Sequence, residues 1–572
     1  MGRNLVSKNT NNLNCDVLVV GGGLAGAMAA ITAAQTGVKV ALLAKGTVGD
    51  SGSSARAGGI IAASFGHASS ENKDLDDDPE IHIRDTLQVG CGLSSEEHVR
   101  ALAEDAPAGV LELERLGVPF SKIGVNRFHQ LKLPGNSRPR GCSVIGGGSE
   151  LMGVLRKCLG DLGVQLVENI TVLKLSNTEG QVVGAQAFGT KDGKHLSVSS
   201  KATVLATGGP TGLFRTVSGD NRNTGDGLII GYEAGAQLAN LEFVEFTLIF
   251  SVRGKILPMA GLAPFLSRGC TLINKYRERF MENYYSPETL AHAGRAEMLQ
   301  AVVQETARNQ SPISIECSAL SEAVWSEFER SQGLSILAKI REAGGDFRND
   351  PIEVVPAAHS LLAGLVTNAC TSTRIAGLWA AGECATGVHG AARLSGNGLA
   401  ACLVFGRRAG RNAAQFALNS ENFSEPLNNT DSAAQELGVS EILPPALKSL
   451  HGKINTIAES ALGVIRESKT LANAEMQFRK IQLEIGDVST SYRPVGMTEI
   501  KNLAVLGELM ASAAIRRRES RGLHFRSDAT NSKQSWRKWL IVEKGQDSGL
   551  PTWHEKKQLG FDEEEIKHGT PS

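Results

Sequence analysis

Two glycine-dense segments from opposite parts of a 572-residue chain restrict its fold more than any other feature. The first, Val19-Val20-Gly21-Gly22-Gly23-Leu24-Ala25-Gly26, lies between an apolar run at Cys15–Val20 and an Ala-rich run at Ala27–Thr36, with a second apolar run at Val38–Leu43. Strand, glycine turn, helix and strand in that order make the βαβ opening of a dinucleotide-binding fold. Gly21 permits the tight turn, Gly23 lets the backbone approach a pyrophosphate, and Gly26 allows close helix–strand contact, with the helix N-terminus facing the anion. The second segment, Ala381-Gly-Glu-Cys-Ala-Thr-Gly-Val-His-Gly-Ala-Ala-Arg393-Leu-Ser-Gly-Asn-Gly-Leu399, packs small residues around a few polar ones, as a backbone must when it presses on a flat ligand. Either segment alone is a weak signal; together they indicate a bound flavin dinucleotide. The usual ribose-binding acid after the second strand is missing, with Ala44-Lys45 in its place, which disfavours a generic NAD site.

A chain this long exceeds one core, so two or three domains are expected. Hydrophobic content of 41% and charge of 21% fit a soluble globular protein. A net charge of −1 gives no electrostatic case for nucleic acid or for an anionic membrane surface. No apolar run is long enough to span a bilayer, and Met1 to Asn14 is polar with no apolar signal core, so direct membrane insertion is not expected and the cytoplasm is the expected compartment. Nine cysteines without a CxxC pair argue against a cluster or structural zinc in the chain itself, so no metal ligands are assigned; the odd count favours reduced thiols.

Segments 95–117 and 149–162 read as amphipathic helices. From 164 to 204, apolar runs separated by Asn-Thr-Glu-Gly and Lys-Asp-Gly read as an antiparallel excursion that returns in Ala202-Thr-Val-Leu-Ala-Thr-Gly-Gly209. Aromatic and charged residues rise between about 233 and 355 and mark an inserted domain. The glycine-rich style resumes at Pro356. Ile442 to Arg518 carries helical periodicity, and the tail beyond about Asp528 is polar and poorly patterned.

Further glycine-rich turns join the flavin set. Asp50-Ser-Gly-Ser-Ser-Ala-Arg-Ala-Gly58-Gly59-Ile60 suits a loop beside phosphates and an isoalloxazine ring, or is an ordinary polar turn. Ala206-Thr207-Gly208-Gly209 ends a strand in a close-approach turn. Glu383 is a candidate acceptor for a ribityl hydroxyl, or a helix N-terminal acid, or both. Ser395, Asn397 and Leu399 open a helix whose backbone N–H groups are candidates to face the flavin pyrimidine.

These residues resemble the succinate dehydrogenase, fumarate reductase and L-aspartate oxidase flavoproteins over most of the chain. Asp85-Thr to Phe120, Thr224-Gly-Asp226-Gly227, Leu241-Glu-Phe-Val-Glu-Phe246, residues 377–411 and Arg518-Glu-Ser-Arg-Gly-Leu-His-Phe525 are similar to family signatures. Lys45-Gly-Thr-Val-Gly-Asp-Ser-Gly-Ser53 is most similar to aspartate oxidases, and Ser535-Trp-Arg-Lys-Trp-Leu540 to the succinate/fumarate branch. The resemblance implies an α/β fold: a Rossmann-like FAD-binding domain in two pieces (1–232 and 356–425), an inserted α+β capping domain (233–355) and a C-terminal helical domain with a polar tail (426–572). It implies FAD contacts from Gly21, Gly22, Gly23, Ala25, Gly26, Lys45, Gly52, Ser53, Gly58, Gly59, Ala206, Thr207, Gly208, Asp226, Glu383, Ser395, Asn397 and Leu399. Gly52 stands where the respiratory branch carries the histidine that bonds to the flavin, so the FAD is expected to be non-covalent.

The resemblance also implies the chemistry. Arg295 matches the capping-domain arginine that shuttles a proton, His359 a histidine that donates to a substrate carboxylate, and Arg393 the arginine that clamps one. Each also has an ordinary structural role open to it: a solvated helix arginine, a satisfied core histidine and an ion pair within the domain. Ala296 stands in place of the usual aspartate after Arg295. The family's Gln-Phe-His-Pro-Thr reads Glu245-Phe-Thr247-Leu-Ile, losing a substrate-binding histidine, and Ser-Leu-Leu-Ala-Gly364 replaces the usual sequence after His359. The implied activity is FAD-dependent hydride transfer between flavin N5 and a small carboxylate, aspartate-oxidase-like or fumarate-reductase-like, with a rewritten, more apolar pocket. The alternative is a non-catalytic or partner-dependent flavoprotein subunit of a succinate dehydrogenase/fumarate reductase-type complex, and an electron-acceptor protein or iron–sulfur subunit is the kind of partner the resemblance implies.

Overall fold

In the computed structural model, which describes residues 11–65, 77–123, 127–257, 261–266, 268–286, 295–328, 334–420, 444–486, 496–545 and 549–557, the apolar run Cys15–Val20 is the buried end of strand β1 (Asn11–Val20). Helix α1 (Leu24–Ala34) begins three residues before the Ala-rich run, because Gly23 caps it and Ser54 Oγ accepts the Leu24 N–H at 3.1 Å. Strand β2 (Val40–Ala44) follows, parallel to β1 and buried at every residue. The expected excursion is present as β3 (Gln165–Glu168), β4 (Ile170–Thr178), β5 (Gln181–Gly189) and β6 (His195–Leu205). The sheet order is β3-β2-β1-β6-β5-β4, with Leu378–Ala380 added parallel to β6. Strands β3, β2, β1 and β6 run parallel, while β4–β5 and β5–β6 pair antiparallel. The expected helices form as α2 (Glu96–Arg115) and α3 (Gly147–Asp161).

Past α4 (Asp226–Glu233) the chain builds a second, antiparallel sheet from β7 (Val244–Val252), β8 (Lys255–Leu257), β9 (Thr271–Ile273), β10 (Ile313–Glu316) and β11 (Ile352–Leu361), in the order β8-β7-β11-β10-β9. Phe250, Phe265, Phe347 and Trp325 pack edge to face in its core. The boundary drawn at 355/356 falls inside β11, which belongs to this sheet throughout. Helix α5 (Arg295–Asn309) buries Leu299, Ala301 and Val302, with Arg295 as its first residue. Leu290 to Gly294, the start of the motif around Arg295, lie outside the described residues.

The second glycine segment leads into α6 (Asn397–Asn419), entered through Gly396. Helices α6 and α1 meet backbone to backbone: a Cβ at Gly406 would lie 2.4 Å from the Ala25 carbonyl oxygen, and one at Gly410 2.2 Å from that of Ala29. That contact joins the two sequence-distant glycine segments. Three helices follow, α7 (Pro445–Ala461), α8 (Ser468–Gly486) and α9 (Met497–Arg516). The chain thus has the α/β cofactor domain, the inserted capping unit and the C-terminal helices.

Two expectations are corrected. The tail beyond Asp528 is not patternless: β12 (Trp539–Lys544) and β13 (Pro551–Lys556) form a hairpin that pairs with Leu238–Ala239. Its signal was short, because only Trp539 to Val542 are buried and polar sequence flanks them. Not all thiols are free, either. Thr271 of β9 pairs with Glu316 of β10, which brings the flanking Cys270 and Cys317 together as a disulfide with Cα atoms 4.4 Å apart.

Candidate active site

The parallel strands end in a cleft open to solvent. Of the expected cofactor residues, Gly21, Gly22, Gly23, Ala25, Lys45, Gly52, Ser53, Ala206, Thr207, Gly208, Asp226 and Glu383 line it. Gly21 has φ +113°, and a Cβ there would lie 2.2 Å from the Ala206 carbonyl oxygen, so only glycine closes this turn. The N-terminus of α1 opens into the cleft with no acidic residue in its first turn, the arrangement that accepts a phosphate. The cradle therefore fits the dinucleotide the sequence implies.

The remaining expected contacts do not line this cleft. Gly26 and Gly59 serve packing: a Cβ at Gly26 would overlap the Gly21 carbonyl oxygen, and one at Gly59 would strike Gly147. Gly58, Ser395, Asn397 and Leu399 are not among the residues lining the cleft either. The Asn397 side chain ties the start of α6 to its neighbours, bonding His82 Nε2 at 2.8 Å and donating to Thr86 Oγ1 at 3.0 Å, while the expectation for this turn concerns its backbone N–H groups.

Lys45 and Asp226 reach each other. Lys45 Nζ lies 2.5 Å from Asp226 and 2.8 Å from Glu499 of α9, and Asn502 Nδ2 donates to Asp226 at 2.8 Å. The lysine that replaces the ribose-binding acid is thus half of a bridge between cleft and C-terminal helices. A residue not foreseen, Asp220, organises the loop at Gly52. Its carboxylate accepts the Gly52 N–H at 2.9 Å, Arg56 Nη1 at 2.7 Å and Arg222 Nη2 at 2.7 Å. Burial opposes its ionisation, but the Arg222 hydrogen bonds and the other donors hold its carboxyl far below the usual range. Gly52 itself has φ +83°, a conformation that disfavours any side chain at that point.

Glu383 sits in a 3₁₀ turn, Gly382–Cys384, where its Oε1 accepts the Leu361 N–H at 2.9 Å. Burial raises its carboxyl from the ordinary 4.5 to about 7, against the pull of that N–H and of the Arg393 charge. Its protonated form adds a donor to the acceptor oxygen that Leu361 engages.

Two of the three expected catalytic residues, Arg295 and Arg393, meet on one carboxylate, and the third, His359, lies beside it on the same strand as Ser360. Glu245 Oε2 accepts Arg393 Nε at 2.9 Å, Arg393 Nη2 at 2.7 Å and Ser360 Oγ at 2.7 Å; its Oε1 accepts Arg295 Nη1. Glu245 is 2% exposed, Arg393 11% and Arg295 21%. Burial opposes the charge on Glu245, yet Arg295 and Arg393 hold its carboxyl well below the usual range. Burial also lowers the proton affinity of Arg295, partly offset by Glu245. His359 Nδ1 bonds Ser218 Oγ at 2.7 Å, and burial pulls its imidazole down to about 3, so it is neutral.

A β-bulge aims these side chains. Glu245 pairs with Ser360 and Phe246 with Ala358, leaving His359 as the extra residue between them. The sequence marks Glu245 as part of a signature and as a departure from a motif, but carries no sign of its position between two arginines. His389, within the second glycine segment, has no sequence signal of its own. Its Nδ1 is buried without a hydrogen-bond partner among the described residues, and burial lowers its imidazole to about 3 in the field of Arg393 and Glu245.

Among the described residues no helix is long and apolar enough to cross a membrane. Residues 16–399 match the FAD binding domain family, and residues 451–563 match the fumarate reductase flavoprotein C-terminal family. An uncharacterized FAD-dependent oxidoreductase of Methanocaldococcus jannaschii is 31% identical over 95% of this chain and 98% of its own length. One subunit of the CoM/CoB fumarate reductase of Methanothermobacter marburgensis is 27% identical over 93% and 97%, and an L-aspartate oxidase of Streptomyces coelicolor 30% over 94% and 92%. The FrdA chain of an E. coli quinol fumarate reductase has the same fold, with a TM-score of 0.86 at 24% identity over 96% of this chain and 98% of that one. The chain belongs to the family of FAD-dependent oxidoreductases that holds the fumarate reductase and succinate dehydrogenase flavoproteins and the L-aspartate oxidases.

Proposed function

We propose that this chain catalyses hydride transfer to or from a carbon of a small carboxylate, with Arg295 moving the accompanying proton and Arg393 and His359 holding the carboxylate. The observation that supports this most is the meeting of Arg295 and Arg393 on Glu245, beside the bulge that carries His359. When bound, FAD supplies the hydride acceptor or donor at its N5. The Gly21–Gly26 turn and the α1 N-terminus would hold its pyrophosphate, and Glu383 its polyol chain. Gly52 provides no side chain to bond to it, so binding is non-covalent. Arg295 stands at the start of α5 with its proton affinity lowered by burial, the direction a proton-moving arginine requires. Arg393 presents a planar fork suited to a carboxylate, and neutral His359 keeps one ring nitrogen beyond its bond to Ser218.

Anaerobic bleaching of the flavin by a panel of small carboxylates identifies the substrate. With it, Arg295→Gln should keep FAD and slow flavin reduction by roughly 10²–10⁴-fold, the usual contribution of a positioned acid or base. A rate within a few-fold of wild type would remove Arg295 from the chemistry. Transfer of electrons to a second protein, such as one carrying iron–sulfur clusters, is supported by the match at residues 451–563 and by the methanogen relative, which is one component of a multisubunit fumarate reductase. Co-purification of such a partner from the source cells tests that reading.

A further inference from the structure

We propose that Glu245 sets the substrate class: it is a resident counterion occupying the place of one substrate carboxylate, so the site takes a small acid with a single carboxylate. This rests on the carboxylate-oxidoreductase reading above and deepens it. Fumarate and aspartate, named by the relatives, each carry two carboxylates.

The first ground is hydrogen-bond capacity. Oε2 of Glu245 already accepts three donors, two from Arg393 and one from Ser360, and Oε1 is taken by Arg295. The carboxylate is nearly fully buried and sits on β7 at a strand pairing, so it has no room to swing aside. The Nε/Nη2 edge of Arg393 is the edge a substrate carboxylate would engage side-on, and Glu245 occupies it. A Cβ at Gly398 would lie 2.6 Å from Nη1, so the start of α6 closes in on the far side of the same guanidinium. What remains is the end-on edge, enough for one carboxylate.

The second ground is charge. Two guanidinium groups and one buried carboxylate leave one net positive charge, and His359 and His389 add none because burial keeps both neutral. One substrate carboxylate is balanced. A second would be brought into a buried region against the fixed negative charge of Glu245, with no further cation among these groups to meet it. The residue types agree: the motif position that carries a histidine in the family is Thr247, buried and packed against Gly261.

The experiment compares matched four-carbon acids on the FAD-loaded enzyme: crotonate against fumarate and butyrate against succinate, with binding read from perturbation of the flavin spectrum. In wild type each monocarboxylate should bind at least about tenfold tighter than its dicarboxylate partner. Glu245→Gln should swing that ratio by at least about tenfold toward the dicarboxylate, and Glu245→Asp, which keeps the charge, should hold the wild-type preference. A wild-type enzyme that binds fumarate or succinate at least as tightly as its partner overturns the inference and leaves the carboxylate reading standing. An unchanged ratio in a yellow, folded Glu245→Gln enzyme also overturns it. Failure of every carboxylate to perturb the flavin overturns both. If Glu245→Gln does not retain FAD, the wild-type ratio alone decides.

Discussion

Replacing Arg393 with methionine probes the pair at the centre of the site, because Met keeps the apolar stem and deletes both donors to Glu245. Removing one partner of a buried ion pair costs about 3–5 kcal/mol, since the other charge is left without compensation. Glu245 would retain Arg295 and the Ser360 hydroxyl, so the loss should fall at the low end, near about 3 kcal/mol. Glu245→Gln is the reciprocal change. It leaves two arginines facing one another without the carboxylate between them, and the like charge of Arg393 already depresses the proton affinity of Arg295. The double variant Arg393→Met/Glu245→Gln has neither a stranded carboxylate nor opposed guanidinium groups. It should cost less than the sum of the single changes by about 1–3 kcal/mol. Urea unfolding at a fixed excess of FAD measures this, because bound ligand shifts every midpoint by mass action. Five tryptophans give the emission signal, and only a transition in which flavin and tryptophan signals move together yields a usable free energy. Additivity within about 0.5 kcal/mol would show that Arg393 and Glu245 do not act as a pair.

Two further outcomes are expected. Acid precipitation should release all FAD into the supernatant, since Gly52, which the resemblance aligns with the attachment histidine, has no side chain to bond to it; flavin retained by the washed pellet contradicts this. Glu383 holds its proton more tightly folded than unfolded, from the ordinary 4.5 to about 7, so its contribution to stability is fully present below 4.5 and is lost as pH rises through about 7. Glu383→Gln should therefore flatten the stability–pH curve across that window, and a curve of unchanged slope would show that Glu383 is not the group titrating there.

The βαβ opening was legible because its constraint is local. Gly21 must adopt a positive φ and meet the Ala206 backbone at a distance that excludes a Cβ, and a short motif flanked by apolar runs carries that information. The start of α6 was legible for the same reason. The inserted unit announced itself through composition but not through its edges, since β11 continues to Leu361, past the point where the glycine-rich style resumes. The Cys270–Cys317 pair depended on the register between β9 and β10, which no spacing in the sequence specifies.

The carboxylate joining the active-site arginines was hidden for a deeper reason. Glu245 lies 50 residues from Arg295 and 148 from Arg393, and sequence alone gives a lone glutamate in an apolar strand no sign of what neutralises it. Its burial supplies the missing logic. A carboxylate this deep in β7 stays ionised only if cations come to it, and the described residues that do so are the two arginines assigned to proton movement and substrate holding. Its structural demand and the catalytic assignment thus fall on the same two side chains. The bulge that lets Ser360 reach Glu245 also leaves His359 as the unpaired residue. Restoring regular pairing by deleting one residue of β11 at 359 would therefore do more than remove a histidine. It would leave Ser360 opposite Glu245 and Ala358 opposite Phe246 in regular alternation, and remove the bend and added twist that the extra residue imposes on β11. Loss of FAD-loaded protein from that deletion, against its survival in His359→Ala, would separate the geometric role of the bulge from the chemical role of the imidazole.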